Sequence, residues 1–264
     1  MRRRARRING LLRFIIFLLI CAVVITAVYT VMNTNGAFED WQRSDRAAEI
    51  KKYAEDNGIP LSEYPQEIIE LYERNPETKA FVLEYPQKKD DTPEIDLASE
   101  YERGKIPLLM QWDQRWGYGK YGNGIIALNA CGPVCLSMVA VYLKNDIKYD
   151  PRWMADFSED EGYYVPDNGT AWSLMSEGAR QLGLTSRELP LEESIVASEL
   201  DSGHPIICIM GEGDFTTSGH YIVLTGYEDG KVSVNDPNSY ENSDKLWEFS
   251  EIRDQIRNLW SYTI

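Results

Sequence analysis

Residues 219 to 238 read GHYIVLTGYEDGKVSVNDPN. Two runs rich in β-branched and aromatic residues, His220 to Tyr227 and Lys231 to Asn235, flank the dipeptide Asp229-Gly230. Such runs are typical of strands, and Asp-Gly is a typical two-residue hairpin turn. The stretch therefore predicts an antiparallel hairpin. Its second strand returns to the start of the first, which brings Asp236 close to the first residue of the hairpin.

The hydrophobic pattern upstream of this hairpin has a helical period. An apolar helix is predicted after Gly132-Pro133, because proline is accepted in a first helical turn. Since helical segments come first and strands follow, we expect an α+β domain over residues 106–264. Further segments are predicted as helices at Trp153 to Phe157, Ala171 to Leu182 and Leu191 to Leu200, and as a buried strand at Pro205 to Met210.

Cys131 lies in the motif NACGPVCLSM, at the start of the predicted apolar helix. The unpaired amide groups at a helix N-terminus stabilise a thiolate, so this position favours a reactive cysteine. Cys135 lies one turn later and is expected to point into the packed face of the helix. No second pair of Cys or His residues with metal-ligand spacing follows, so the sequence predicts neither a metal site nor another cofactor.

A nucleophilic thiolate needs a partner that carries protons, and imidazole suits this task near neutral pH. The chain has two histidines. His204 lies in the polar turn DSGHPII and is interpreted as a surface residue, whereas His220 opens the hairpin and is either a catalytic base or a packed residue. Asp236 would orient the His220 ring as the third member of a triad. Alternatively, the DPN sequence at Asp236 makes only a turn.

Three separated motifs now carry a resemblance to a known family. QWDQRWGYGKYG begins at Gln111, NACGPVCLSMV surrounds Cys131, and GHYIVLTGYEDGKVSVNDPNS contains His220 and Asp236. Residues 106–264 thus resemble the bacterial papain-like cysteine peptidases related to those that remove double-glycine leaders from bacteriocin precursors. The resemblance implies a papain-like fold, with Cys131 as nucleophile, His220 as general base and acid, and Asp236 as orienting residue.

The resemblance also implies a role for Gln111, whose side-chain amide would stabilise the oxyanion of the tetrahedral intermediate. Gln111 precedes Cys131 by 20 residues, which is farther than in the leader peptidases, and an insertion containing GYGKYGNG accounts for the difference. Asn129 is the alternative donor, and the backbone amide of Cys131 is expected to be the second one.

The amino terminus carries the pattern of a membrane anchor. Residues 1–13 contain six arginines, and residues 14–32, FIIFLLICAVVITAVYTVM, form an uncharged run long enough to cross a bilayer. Secretory signal peptides have a shorter apolar region and a cleavage site of small residues, so a retained single-pass anchor is favoured over a cleaved signal. The positive-inside rule places residues 1–13 in the cytoplasm and the chain from about residue 33 outside.

Residues 33–105 are predicted to form an acidic helical stalk or pre-domain. The net charge of the chain is −15, and it becomes −21 when the six N-terminal arginines are set aside. Nucleic acid is therefore not an expected partner, because it binds to cationic surfaces. The stalk either inhibits the groove, as a propeptide would, or is part of the folded domain.

The sequence thus predicts a membrane-anchored, extracytoplasmic cysteine peptidase that forms a thioester intermediate. No phosphate-binding motif of the form GxxxxGK[ST] occurs, so ATP-driven export is not expected. Substrates would be peptides, proteins or cell-wall peptides, and the anchor and the family suggest a Gram-positive bacterium. Two alternatives remain: a transpeptidase or amidase that acts on cell-wall peptides with the same triad, and a non-catalytic peptide-binding module.

Overall fold

The computed structural model describes residues 45–166 and 168–264. The chain divides into two compact units, Met1–Glu63 and Tyr64–Ile264. Within the described residues, no helix combines the length and the apolar character that a membrane span requires. The predicted basic segment at 1–13 and the predicted anchor at 14–32 lie outside the described residues.

The described part of the first unit is short. It consists of helix α1 (Asp45–Asn57) and a 3₁₀ turn at Leu61–Glu63. The second unit opens with a helical segment that we call the extension, residues 64–88. The Asn75 side chain caps one turn of the extension by accepting a hydrogen bond from the Glu77 amide at 3.0 Å. The elements of the extension are α2 (Gln66–Arg74), a 3₁₀ turn (Pro76–Thr78), α3 (Lys79–Leu83) and α4 (Tyr85–Lys88).

The central helix of the second unit is α6, Cys131–Lys144. Ten of its residues are buried, which is expected of a helix that is apolar on almost every side. Pro133 lies in its first turn, and Asn145 ends it in the left-handed conformation with φ of 51°. The helix predicted after Gly132-Pro133 is confirmed. Around it lie β1 (Lys120–Tyr121), β2 (Gly124–Ile125), α5 (Ile126–Asn129) and α7 (Pro151–Asp160).

The carboxyl-terminal half forms a six-stranded antiparallel sheet in the order β5-β10-β6-β7-β8-β9. Its strands are β5 (Thr185–Glu188), β6 (Ile206–Met210), β7 (His220–Glu228), β8 (Lys231–Asn235), β9 (Trp247–Glu248) and β10 (Ile256–Thr263). The remaining elements are β3 (Tyr164–Val165), β4 (Gly169–Thr170), a π-helix (Leu174–Gly178), α8 (Ala179–Gln181), α9 (Glu193–Asp201), α10 (Tyr240–Asp244), α11 (Phe249–Ile252) and a 3₁₀ turn (Arg253–Gln255).

The sheet separates two hydrophobic cores, because successive strand residues point to opposite faces. Ile207 and Val223 belong to the core that contains α6. Cys208 and Ile222 belong to the other core, which α9 covers. The α+β class with a carboxyl-terminal antiparallel sheet is therefore confirmed, and α6 is held against one face of that sheet.

The hairpin of β7 and β8 contains a bulge that the sequence did not predict. Leu224 pairs with Val234, but Gly226 pairs with Ser233, so Thr225 is an extra residue in β7. The Thr225 hydroxyl donates a hydrogen bond to the Ser233 hydroxyl at 3.0 Å. A single extra residue moves all the following side chains to the other face relative to the partner strand.

This bulge sets how far β8 reaches along β7. Val223 pairs with Asn235, the last residue of β8, so the strand ends one residue before Asp236. Without the bulge, Asn235 would pair with Leu224, and the end of β8 would lie one residue farther from His220. The extra residue in β7 therefore brings Asp236 closer to His220.

Part of the sheet was not predicted from the sequence. The strands β5, β9 and β10 were not predicted, although β10 lies inside the sheet between β5 and β6. The helix predicted at Ala171 to Leu182 is shorter and irregular, since a π-helical turn over Leu174–Gly178 precedes α8. The domain boundary at residue 105 stays a prediction, while residues 64–264 form one compact unit.

Candidate active site

Cys131 is the first residue of α6 and is half-buried at the bottom of a groove. Burial alone would raise the pKa of its thiol. The opposing effects are larger: a hydrogen bond from the His220 side chain, the positive charge of that ring, and hydrogen bonds from the backbone amides of Tyr221 and Gly132. Together they hold the pKa of Cys131 below its ordinary value. The site therefore favours a thiolate.

His220 is the first residue of β7, and 7% of it is exposed. Its Nε2 atom lies 2.7 Å from Oδ1 of Asp236, which leaves Nδ1 as the ring nitrogen that can serve Cys131. Burial lowers the pKa of His220, but the charge of Asp236 and the hydrogen bonds with Asp236 and Cys131 raise it to about 10. At neutral pH the ring is therefore an imidazolium that donates to both partners.

Asp236 is almost completely buried, with 1% of its surface exposed. Its Oδ1 accepts hydrogen bonds from His220 and from the Asn238 amide at 2.8 Å, and its Oδ2 accepts one from Asn242 Nδ2 at 2.8 Å. Burial opposes the ionisation of this carboxyl group, but the charge of His220 and the three donors hold its pKa below the ordinary value. The carboxylate is therefore charged and fixed in place.

The short turn after Asp236 is compatible with the catalytic role. The Asn238 amide donates to the Asp236 side chain two residues back, which is the pattern of an Asx turn. The interpretation of the DPN sequence as a turn is thus confirmed, and the orienting role of Asp236 stays a prediction. The residues that sequence reasoning missed are Asn242 and Ser243, because the helix α10 that carries them gives no strong sequence signal.

Gln111 lies in the same groove as Cys131, and 5% of it is exposed. Its Nε2 donates to the Ala127 carbonyl at 2.6 Å, and its backbone amide donates to the Pro237 carbonyl at 2.7 Å. The bond to Ala127 holds the orientation of the side-chain amide, whose buried Oε1 has no hydrogen-bond partner in the described part of the chain. The role of Gln111 as oxyanion donor stays a prediction.

The alternative donor, Asn129, has its side-chain amide turned elsewhere. Asn129 Nδ2 donates to Oδ1 of Asn123 at 3.3 Å. Gln111 and Asn129 line different cavities, and Cys131 lines both. The choice between the two candidates stays a prediction.

The groove has two parts that meet at Cys131. The first is a cavity of about 560 Å³, and its walls include residues 213–219 and three residues of the extension, Leu71, Arg74 and Asn75. The second is a cavity of about 360 Å³ that is lined by residues 168–170, Trp172 and Tyr221. The extension is thus one wall of the groove and leaves the space beside Cys131 open.

The other histidine and the other described cysteines lie outside this groove. His204 pairs through Nδ1 with Oε2 of Glu199 at 3.0 Å, in agreement with its interpretation as a surface residue. Cys135 and Cys208 are buried, and burial raises the pKa of each thiol. The three cysteines of the described residues are all free, so Cys131 is the one suited to act as a nucleophile.

The profile of the Peptidase_C39 like family matches residues 104–263. The chain belongs to the Peptidase C39-like family. The predicted family resemblance is therefore confirmed, and the α+β papain-like architecture that it implied is the one observed in the structure.

Two solved structures are similar to this C39-like chain. A C39-like peptidase from Bacillus anthracis has 14% sequence identity and a TM-score of 0.41, over 61% of this chain and 96% of its own. The peptidase domain of Streptococcus ComA, a bifunctional ABC transporter involved in quorum sensing, has 19% identity and a TM-score of 0.40, over 50% of this chain and 90% of its own. No curated protein matches the chain.

The lowered pKa of Cys131 predicts how fast the thiol reacts in acid solution. We expect iodoacetamide to alkylate Cys131 at pH 6 at least about tenfold faster than an ordinary thiol, whose pKa is about 8.5. In His220→Ala the hydrogen bond and the positive charge are lost, so the thiol pKa rises and the rate at pH 6 falls. The measurement is alkylation of the full chain across pH 4 to 9, with each modified cysteine identified by mass spectrometry.

The buried thiols of Cys135 and Cys208 are internal controls, and they should remain unmodified in both proteins. Equal rates at pH 6 for the wild type and His220→Ala would contradict the ion pair between Cys131 and His220.

Proposed function

We propose that this protein is a membrane-anchored, extracytoplasmic cysteine peptidase that hydrolyses peptide bonds with the triad Cys131, His220 and Asp236. The observation that carries the proposal is the arrangement of a thiolate-stabilising helix start, an imidazolium and a buried carboxylate at one point of an open groove. Membership of the C39-like family supports the same chemistry.

The first half of the reaction forms a thioester. The Cys131 sulfur attacks the carbonyl carbon of the substrate, and negative charge develops on the carbonyl oxygen. The side-chain amide of Gln111 and the backbone amide of Cys131 would stabilise that oxyanion. As the carbon–nitrogen bond breaks, the proton on Nδ1 of His220 passes to the leaving amine, and the acyl group stays on the sulfur.

The second half releases the acyl group. His220, now neutral, takes a proton from a water molecule, and the resulting hydroxide attacks the thioester carbonyl. When the carbon–sulfur bond breaks, the Cys131 thiolate leaves and again faces an imidazolium. Asp236 remains ionised throughout and holds the ring by its Nε2–H, which is the task of the orienting residue in such triads.

The proposed location rests on the sequence alone. Six arginines precede the uncharged run at 14–32, and the positive-inside rule then places the C39-like domain outside the cell. An exterior location supports peptides, proteins or cell-wall peptides as the substrate class.

Turnover of peptides tests the proposed chemistry. With the full-length chain in detergent and a mixture of synthetic peptides, we expect cleavage products by mass spectrometry, and we expect none from Cys131→Ser, since the hydroxyl is a far weaker nucleophile than the thiolate. Gln111→Ala should lower kcat by about 10²- to 10³-fold if its amide binds the oxyanion. Cys208→Ala, in the core on the far face of the sheet, is the matched control and should retain activity.

The products distinguish the possible fates of the acyl group. Hydrolysis gives a free carboxylate, whereas an added primary amine would be found in the product if the enzyme is a transpeptidase. A wild type that binds peptides in the groove without forming any acyl-enzyme would contradict the peptidase proposal and favour a binding module.

Membrane topology is tested with engineered cysteines in a Cys131→Ala background. We expect Ser202→Cys, an exposed position of the C39-like domain, to react with a membrane-impermeant maleimide on intact cells. The matched control Ala5→Cys, in the basic segment, should react only after the cells are lysed. Labelling of Ala5→Cys but not of Ser202→Cys on intact cells would reverse the proposed orientation.

A further inference from the structure

The extension reaches the segment that follows Asp236. Oε2 of Glu77 accepts a hydrogen bond from the Tyr240 amide at 2.7 Å, and Oε1 accepts one from the Glu241 amide at 3.0 Å. These are the first two amides of α10, and the first amides of a helix have no partner within the helix. Glu77 supplies that partner from 163 residues earlier in the chain.

A second contact fixes the same segment closer to Asp236. Asn75 Nδ2 donates to the Asn238 carbonyl at 2.6 Å, and Trp112 Nε1 donates to the same oxygen at 3.1 Å. Asn75 is buried, with 8% of its surface exposed. Residues 238 to 241 are therefore held from outside by two side chains of the extension.

The segment held in this way carries the groups that orient Asp236. Asn242, in α10, donates to Oδ2 of Asp236, and the Ser243 hydroxyl accepts a hydrogen bond from the Asp236 amide at 2.9 Å. The carboxylate and its backbone are thus both tied to α10. A continuous series of hydrogen bonds leads from Glu77 through α10 to Asp236 and then to His220.

We propose that Glu77 is a positioning residue of the catalytic triad, which acts by fixing α10 and through it the carboxylate of Asp236. The extension is then a working part of the enzyme, and it forms one wall of the groove without closing it. This inference rests on the proposed function.

Glu77 would affect the Cys131 thiol indirectly, through the distance between the charges of Asp236 and His220. The attraction between buried charges depends strongly on their separation and on the exclusion of water. If α10 loses its anchor, Asn242 moves away, Asp236 becomes mobile, and the imidazolium of His220 is less stable. A weaker imidazolium lowers the fraction of Cys131 that is thiolate in acid solution. At basic pH, where the Cys131 thiol is already fully ionised, a weaker imidazolium leaves the thiolate fraction unchanged.

The test compares alkylation of Cys131 by iodoacetamide at pH 6 and at pH 9.5 in the full-length chain. For Glu77→Gln we expect the ratio of the two rate constants to fall by about three- to tenfold, which is the change produced by a rise of up to about one unit in the thiol pKa. The rate at pH 9.5 should stay the same. The matched control is Glu67→Gln, which removes an exposed carboxylate from α2 of the same extension and should leave the ratio unchanged.

Two further variants distinguish positioning from general destabilisation. Asn242→Ala removes the donor at Oδ2 of Asp236 directly and should lower the ratio in the same way, even if Glu77→Gln folds poorly. In an Asp236→Asn background, Glu77→Gln should have no further effect, since the group that it positions has already lost its charge.

The results distinguish a failure of the positioning role of Glu77 from a failure of the proposed function. If the wild type alkylates rapidly at pH 6 and Glu77→Gln matches it, the positioning role is wrong and the triad stands. An equal effect of Glu77→Gln with and without Asp236→Asn would also overturn the inference. If the wild type itself reacts slowly at pH 6, the proposed function fails first, because the triad does not activate Cys131.

Discussion

The hydrogen bond of 2.7 Å between His220 Nε2 and Asp236 Oδ1 is the interaction on which the site depends. Both groups are buried, so each charge would be costly without the other. The buried carboxylate makes the imidazolium stable, and the imidazolium in turn makes the Cys131 thiolate stable. The lowered pKa of the Cys131 thiol thus depends on the charge pair of His220 and Asp236.

Other parts of the fold place His220 and Asp236 next to each other and next to Cys131. The extra residue at Thr225 brings the end of β8, and with it Asp236, closer to His220. The apolar helix α6 places Cys131 beside the start of β7, and its packing in the core prevents the thiol from moving away. The extension holds the segment after Asp236 from outside. A triad of three residues therefore depends on elements from most of the described chain.

The sequence predicted the features that local patterns encode. The hairpin, the apolar helix and the closeness of His220 to Asp236 follow from strand composition, turn chemistry and helix signals. The bulge at Thr225 does not, because side-chain packing decides where an extra residue is accommodated. Strand β10 was missed for a similar reason, since its sequence IRNLWSYT mixes polar and apolar residues. The contacts of Glu77 with α10 join residues 163 and 164 positions apart, and no local pattern reports such a pair.

The charge pair of His220 and Asp236 can be observed through the protonation state of His220. The chain has two histidines, so ¹⁵N NMR of the imidazole nitrogens can be assigned with a His204→Gln variant. We expect that at pH 7.5 both ring nitrogens of His220 carry a proton in the wild type, with a pKa of about 10, and that Asp236→Asn makes the ring neutral at the same pH. A wild-type His220 that is neutral at pH 7.5 and titrates near its ordinary value of about 6.5 would contradict this expectation.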